Sequence, residues 1–232
     1  MSTIPTRHIR PVLIVLSSYL NTIDGHEISG FYLPELTHPL HVLAEAGIPV
    51  VFASINGGKP PVYGVEPDDE VSAHYWQDKD FQQQLHHTLA LSAANSEDYS
   101  AVLFVGGHGT MWDFPDNEAV KSITREMFEE GKPVAAVCHG PAALVNVKLS
   151  NGHYLVKNKR LAAFTDTEER EVGLAEVVPF MLEATLRARG AVHQSAPDWH
   201  CNVITDGALI TGQNPQSAKA VGEALRDQLL TE

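Results

Sequence analysis

"KPVAAVCHGPAAL", residues 132–144, is the stretch on which the fold turns. A short apolar run ends at Cys138, His139 and a Gly-Pro pair follow, and helix-forming Ala-Ala-Leu comes next. Short apolar runs bounded by turn formers read as strands buried on both faces. The stretch therefore reads as strand, sharp turn and helix, with a cysteine at the turn. Successive side chains on an extended strand point to opposite faces, so Cys138 and His139 would part company if the strand ran on. Their partnership depends on the strand stopping at Cys138.

Working outward, the same kind of run recurs in "PVLIVLSS" from Pro11, "IPVVFASI" ending at Ile55 and "SAVLFVGG" ending at Gly107. It recurs again in "RLAAFT" from Arg160 and in "VITDGALITG" ending at Gly212, where Asp206-Gly207 reads as a tight hairpin. Helical stretches lie between these runs: "PELTHPLHVLAEAG", "DNEAVKSITREMFEEG" with its capping residues and closing Gly131, and a last one after Pro215. Strands alternating with helices imply right-handed crossovers and an α/β doubly wound, mostly parallel sheet covered on both faces. The sequence reads as one folded unit over residues 1–232. A Gly-, Pro- and acid-rich insertion spans about 56–98 and contains a helical-looking "DFQQQLHHTLALS".

Composition narrows the class. The formal charge of −13, with no Lys/Arg cluster, opposes nucleic-acid binding. Two cysteines cannot form a disulfide framework, which suits a reducing, cytoplasmic setting and leaves a thiol free for chemistry. The run from Pro11 is too short to span a bilayer. Although Arg7 and Arg10 precede it, it fits a first core strand better than a signal peptide. The expectation is no membrane and no nucleic-acid partner.

In a doubly wound sheet the binding crevice lies beyond the carboxyl ends of the strands. Residues there include Gly106, Gly107 and His108, then Cys138 and His139, then Asp166 to Glu169. A nucleophile on a strand-to-helix turn projects into such a crevice beside free backbone N–H groups that can hold an oxyanion. A helix N-terminus also favours the thiolate, so a lowered Cys138 pKa is expected. Twelve histidines offer no HxxxH or CxxC spacing, and the adjacent His86 and His87 face different directions on a helix. No metal and no cofactor is expected. Trp112, Phe114 and Trp199 are candidates for pocket walls against the alternative of core packing, and Cys201 reads as a bystander.

"AAVCHGPAAL", "GGHGTMWDFP" (106–115), "SGFYLPELTHPL" (29–40), "AAFTDTEEREVG" (162–173) and "VITDGALITGQNPQSA" (203–218) together resemble the ThiJ/PfpI superfamily of class I glutamine amidotransferase-like proteins. More narrowly, the chain is similar to its heat-shock chaperone and glyoxalase III-like branch. The resemblance implies a flavodoxin-like three-layer sandwich assembled as a homodimer. It also implies Cys138 as nucleophile, His139 as catalytic histidine and Glu35 as the carboxylate bonded to the sulfur. Glu169 would orient the histidine, with Glu168 exchanging roles if the register slips by one. The backbone N–H groups of Gly107 and His139 would form the oxyanion hole. From the residues themselves, His108 beside Gly106 is a candidate to line the crevice or bind substrate, against the alternative of a loop residue placed by its flanking glycines.

The activity implied is glutathione-independent conversion of a small reactive dicarbonyl, methylglyoxal or glyoxal, to lactate or glycolate by a cysteine-dependent lyase. Two other readings use the same residues differently. One is a cysteine peptidase, amidase or glutamine amidotransferase-like protein; the other is a holdase chaperone of the stress response that binds unfolded protein clients. Which side chain touches the Cys138 sulfur, Glu35 or His139, stays open at the level of sequence.

Overall fold

In this computed structural model, residues 9–231 are described; Arg7 lies outside them. The central sheet has seven strands: β1 (Val12–Leu16), β2 (Val50–Ser54), β3 (Leu89–Ala90), β4 (Ala101–Phe104), β5 (Val134–Val137), β6 (Val203–Asp206) and β7 (Leu209–Gly212). Their spatial order is β6-β7-β5-β4-β1-β2-β3. Every pairing is parallel except β6 with β7, the hairpin expected at Asp206-Gly207. Gly207 takes φ 63°, a conformation that costs glycine nothing in a two-residue turn.

The middle strands are buried on both faces, and their residues alternate between two apolar layers. Val102 and Phe104 pack on one side of the sheet, Ala101 and Leu103 on the other. The helices cover these faces: α1 (Leu33–Glu45), α2 (Glu70–Gln77), α3 (Lys79–His86), the short α4 (Thr110–Asp113), α5 (Glu118–Glu129), α6 (Asp166–Glu171), α7 (Leu182–Ala188) and α8 (Ala218–Thr231). The side chain of Asn117 caps α5 by accepting from the N–H groups of Ala119 and Val120. Among the described residues no helix is long and apolar enough to cross a membrane.

Two expectations are corrected. "RLAAFT" is not a strand of the central sheet: Arg160–Leu161 pairs with Val192–His193 in a separate two-stranded ribbon. Its apolar residues are buried because the chain then crosses the strand ends, where Phe164 N–H donates to the Cys138 carbonyl (2.9 Å). Apolar composition reported burial correctly; only tertiary pairing separates a sheet strand from a buried crossing. "DFQQQLHHTLALS" is helical only to His86; Leu89–Ala90 then adds the outermost strand, in parallel register with Ala53 and Ser54. Thr88 anchors that change of direction, its hydroxyl 2.7 Å from Ser54 Oγ.

Candidate active site

Strand β5 delivers Cys138 and then stops. The Cys138 N–H still donates to the Gly212 carbonyl (2.9 Å), but the residue adopts φ 61°, a left-handed conformation rare outside glycine. The chain then turns into a 3₁₀ segment, Gly140–Leu144, not the α-helix the sequence suggested. Gly140 is needed there because a Cβ would collide with the Phe104 carbonyl. Backbone strain of this kind persists only where surrounding structure enforces it, and it turns the thiol out of the ladder.

The turn puts adjacent side chains in contact. His139 Nδ1 lies 3.3 Å from Cys138 Sγ, and His139 Nε2 lies 2.7 Å from Glu169 Oε2. Glu169 is ionised: despite burial, the His139 and His108 side chains hold its carboxyl far below the usual carboxylate range. Its hydrogen bond therefore takes the Nε2–H of His139 and leaves Nδ1 with a lone pair facing the sulfur. Burial, then the neighbouring His108, lowers the His139 pKa, so the ring is neutral at pH 7. Both rings reach the one buried carboxylate, His139 Nε2 at Oε2 and His108 Nε2 at Oε1.

Glu35, in the first turn of α1 and 1% exposed, lines the same pocket as the thiol. Burial pushes its pKa up to about 8, against the opposing influence of Cys138 and the Gly106 backbone. At neutral pH it is a carboxylic acid. Its Oε2 finds no hydrogen-bond partner among the described residues. Gly106 has to be glycine beside it, since a Cβ would overlap that oxygen. Gly107 takes φ 116° against the backbone of Phe31 and Tyr32, and its N–H donates to no acceptor among the described residues.

The thiol itself departs from expectation. Burial and the Glu35 carboxyl raise the Cys138 pKa well above its ordinary value, whereas the sequence suggested a lowered one. A five-residue 3₁₀ segment supplies little dipole, and desolvation of a nearly enclosed sulfur outweighs it. Cys138 rests as a thiol with a base 3.3 Å away.

Glu168 and Glu169 separate cleanly. The Glu168 side chain accepts from Thr165 N, Trp199 N, Gln213 Nε2 and Asn214 Nδ2, pinning α6 and the loop at Trp199. Only Glu169 reaches His139 and His108. The contact of His108 with Glu169 was not read from sequence, because 61 residues separate them and "GGHGT" signals only a tight loop. Of the three aromatic candidates, Trp199 lines the pocket, whereas Phe114 packs on Phe104 in the core and Trp112 stacks on Tyr19. Cys201 is free and exposed.

The pocket holds about 210 Å³ between Tyr32, Tyr63, Phe164 and Trp199, with Glu35, His108, Cys138 and His139 in its wall. His108, His139 and Glu169 have potential metal-ligating atoms within 4.8 Å of one another. Both imidazole Nε2 atoms are already hydrogen-bonded to the two carboxylate oxygens at 2.8 and 2.7 Å, so the cluster is closed on itself. A metal would have to displace both protons.

A family model described as DJ-1/PfpI matches residues 28–228. The glutathione-independent glyoxalase hsp3102 of Schizosaccharomyces pombe is 32% identical over 91% of this chain and 94% of its own length. The glyoxalase HSP31 of Saccharomyces cerevisiae, also glutathione-independent, is 30% identical over 95% of this chain and 98% of its own. The crystal structure of Candida albicans glyoxalase III superposes with TM-score 0.86 at 28% identity, covering 94% of this chain and 96% of that one.

Proposed function

The chain belongs to the DJ-1/PfpI family, and from that premise we propose that it is a cysteine-dependent, glutathione-independent glyoxalase that converts methylglyoxal to lactate and glyoxal to glycolate. One observation carries the reading: a thiol on a strained turn shares a small pocket with a neutral imidazole and a carboxyl held in its acid form. That combination suits addition of sulfur to an aldehyde followed by proton transfers, and needs no external redox cofactor.

His139 Nδ1 takes the thiol proton as Cys138 Sγ attacks the aldehyde carbon. The carbonyl π pair becomes an alkoxide, held by the N–H groups of Gly107 and His139, and takes the proton back to give a hemithioacetal. The neutral Glu35 carboxyl can donate toward the developing charge, whereas a carboxylate there would oppose it. The aldehyde carbon then passes its hydrogen to the adjacent carbon through an enediol, so one carbon is oxidised and its neighbour reduced. Water cleaves the resulting thioester, releasing hydroxy acid and thiol. Glu169 keeps His139 in the required tautomer throughout. A reducing, cytoplasmic setting belongs to this reading and suits the free thiols of Cys138 and Cys201.

The test is lactate formation from methylglyoxal with no glutathione present. Purified, reduced protein is expected to form lactate and Cys138→Ala to form none. If wild type makes no lactate while Cys138 remains alkylatable, the glyoxalase reading fails and hydrolysis becomes the leading use of the same thiol.

A further inference from the structure

One carboxylate holds two imidazoles. Glu169 Oε2 bonds His139 Nε2, and Glu169 Oε1 bonds His108 Nε2 at 2.8 Å, with the two ring centres 4.1 Å apart. Orienting a single catalytic histidine requires only the first of these bonds. His108 is also the more accessible ring, its side chain 15% exposed against 1% for His139, and it lines the same pocket as Cys138. His108 Nδ1 has no partner among the described residues, and in the tautomer that donates Nε2–H to the carboxylate this atom carries a lone pair. Its backbone is fixed as well, with the N–H 3.3 Å from Tyr63 Oη.

Within the glyoxalase reading, rearrangement of the hemithioacetal moves two protons. One passes from the former aldehyde carbon to its neighbour, and the other from the first oxygen to the second. His139 Nδ1 lies against the sulfur and is committed to the thiol and the oxygen it creates. We propose that His108 is a second catalytic acid–base residue, one that carries the carbon-bound proton while His139 serves sulfur and oxygen. In this step the C1–H pair becomes the C1=C2 π bond, the C2=O pair moves onto oxygen, and the proton sits on His108 Nδ1. The same proton then adds to C2 as the C1 hydroxyl gives up its own, re-forming C1=O as a thioester. Glu169 lies between the two rings, so either cation is paired as it forms.

The experiment compares His108→Gln with wild type in two assays. Lactate formation from methylglyoxal is expected to fall by about 100-fold or more in kcat, the usual worth of a general acid–base group. The rate of Cys138 alkylation by iodoacetamide is expected to stay within about twofold, because the 3.3 Å contact of the thiol with His139 Nδ1 does not involve His108 and the Gln amide can still donate to Glu169. A kcat loss smaller than about tenfold overturns the proposal. So does a parallel loss of alkylation, which would make His108 only a prop for Glu169 and His139. If His108→Gln does not fold by circular dichroism, His108→Asn is read by the same two criteria. Failure of this proposal is distinguishable from failure of the glyoxalase reading: the first leaves wild-type lactate formation intact, and the second removes it and overturns both.

Discussion

At the scale of single residues, the opposed demands on Glu35 and Cys138 decide the chemistry. Both groups are buried, both resist ionisation, and they face each other. The ordering follows from Glu35 giving up its proton at about 8, well before the thiol. Below that pH the carboxyl is a neutral donor beside the sulfur; above it, a carboxylate repels any developing thiolate. Activity should therefore fall as pH rises through about 8. In Glu35→Gln, which keeps a donor and cannot ionise, this alkaline limb is expected to disappear from the kcat/KM profile. Persistence of the same limb in that variant would assign it to another group.

At the scale of elements, the short helix α6 is the part whose placement matters most. Thr165 and Glu168 form a reciprocal capping box that sets its first turn. Glu168 then takes donors from two further segments, those of Trp199 and of Gln213-Asn214. Trp199 itself adopts φ 61° and closes the pocket wall, so the acid supports the rotation of α6 and a strained pocket residue together. Replacing one of its accepting oxygens by an amide weakens several buried bonds at once. Glu168→Gln is expected to cost about 1–3 kcal/mol in chemical denaturation. It should also lower kcat more than it raises KM, since Glu169 is displaced relative to His139. Denaturation melts with steady-state kinetics on the same preparation check both halves.

At the scale of the whole molecule, burial of the sheet on both faces supplies the rigidity that holds a strained turn. Phe104 sits directly before the Val105-Gly106-Gly107 loop, fully buried against Phe114. Phe104→Ala should destabilise by about 3–5 kcal/mol, the range for emptying a large aromatic site in a packed core. The same substitution should relax the turn, because without its ring packed on Phe114 the strand end that sets the Phe104 carbonyl against Gly140 is held less firmly. Thermal unfolding followed in the far ultraviolet measures the first effect; the rate of Cys138 alkylation reads the second.

The sequence by itself determined the alternation of strands and helices, the hairpin at Asp206-Gly207 and the cysteine at a strand end. Each is written in local periodicity and turn chemistry, which neighbours along the chain enforce. The motifs also brought Glu35, His139 and Glu169 forward as partners. Tertiary structure alone decided the rest. His139 meets the sulfur, because a φ of 61° at Cys138 removes the strand alternation that would have parted the pair, while Glu35 enters the same pocket from α1. Glu169 rather than Glu168 faces the histidines, because a capping box fixes the rotation of α6. The Cys138 pKa rises instead of falling, because desolvation depends on what encloses the sulfur, and those neighbours arrive from stretches far apart in the chain.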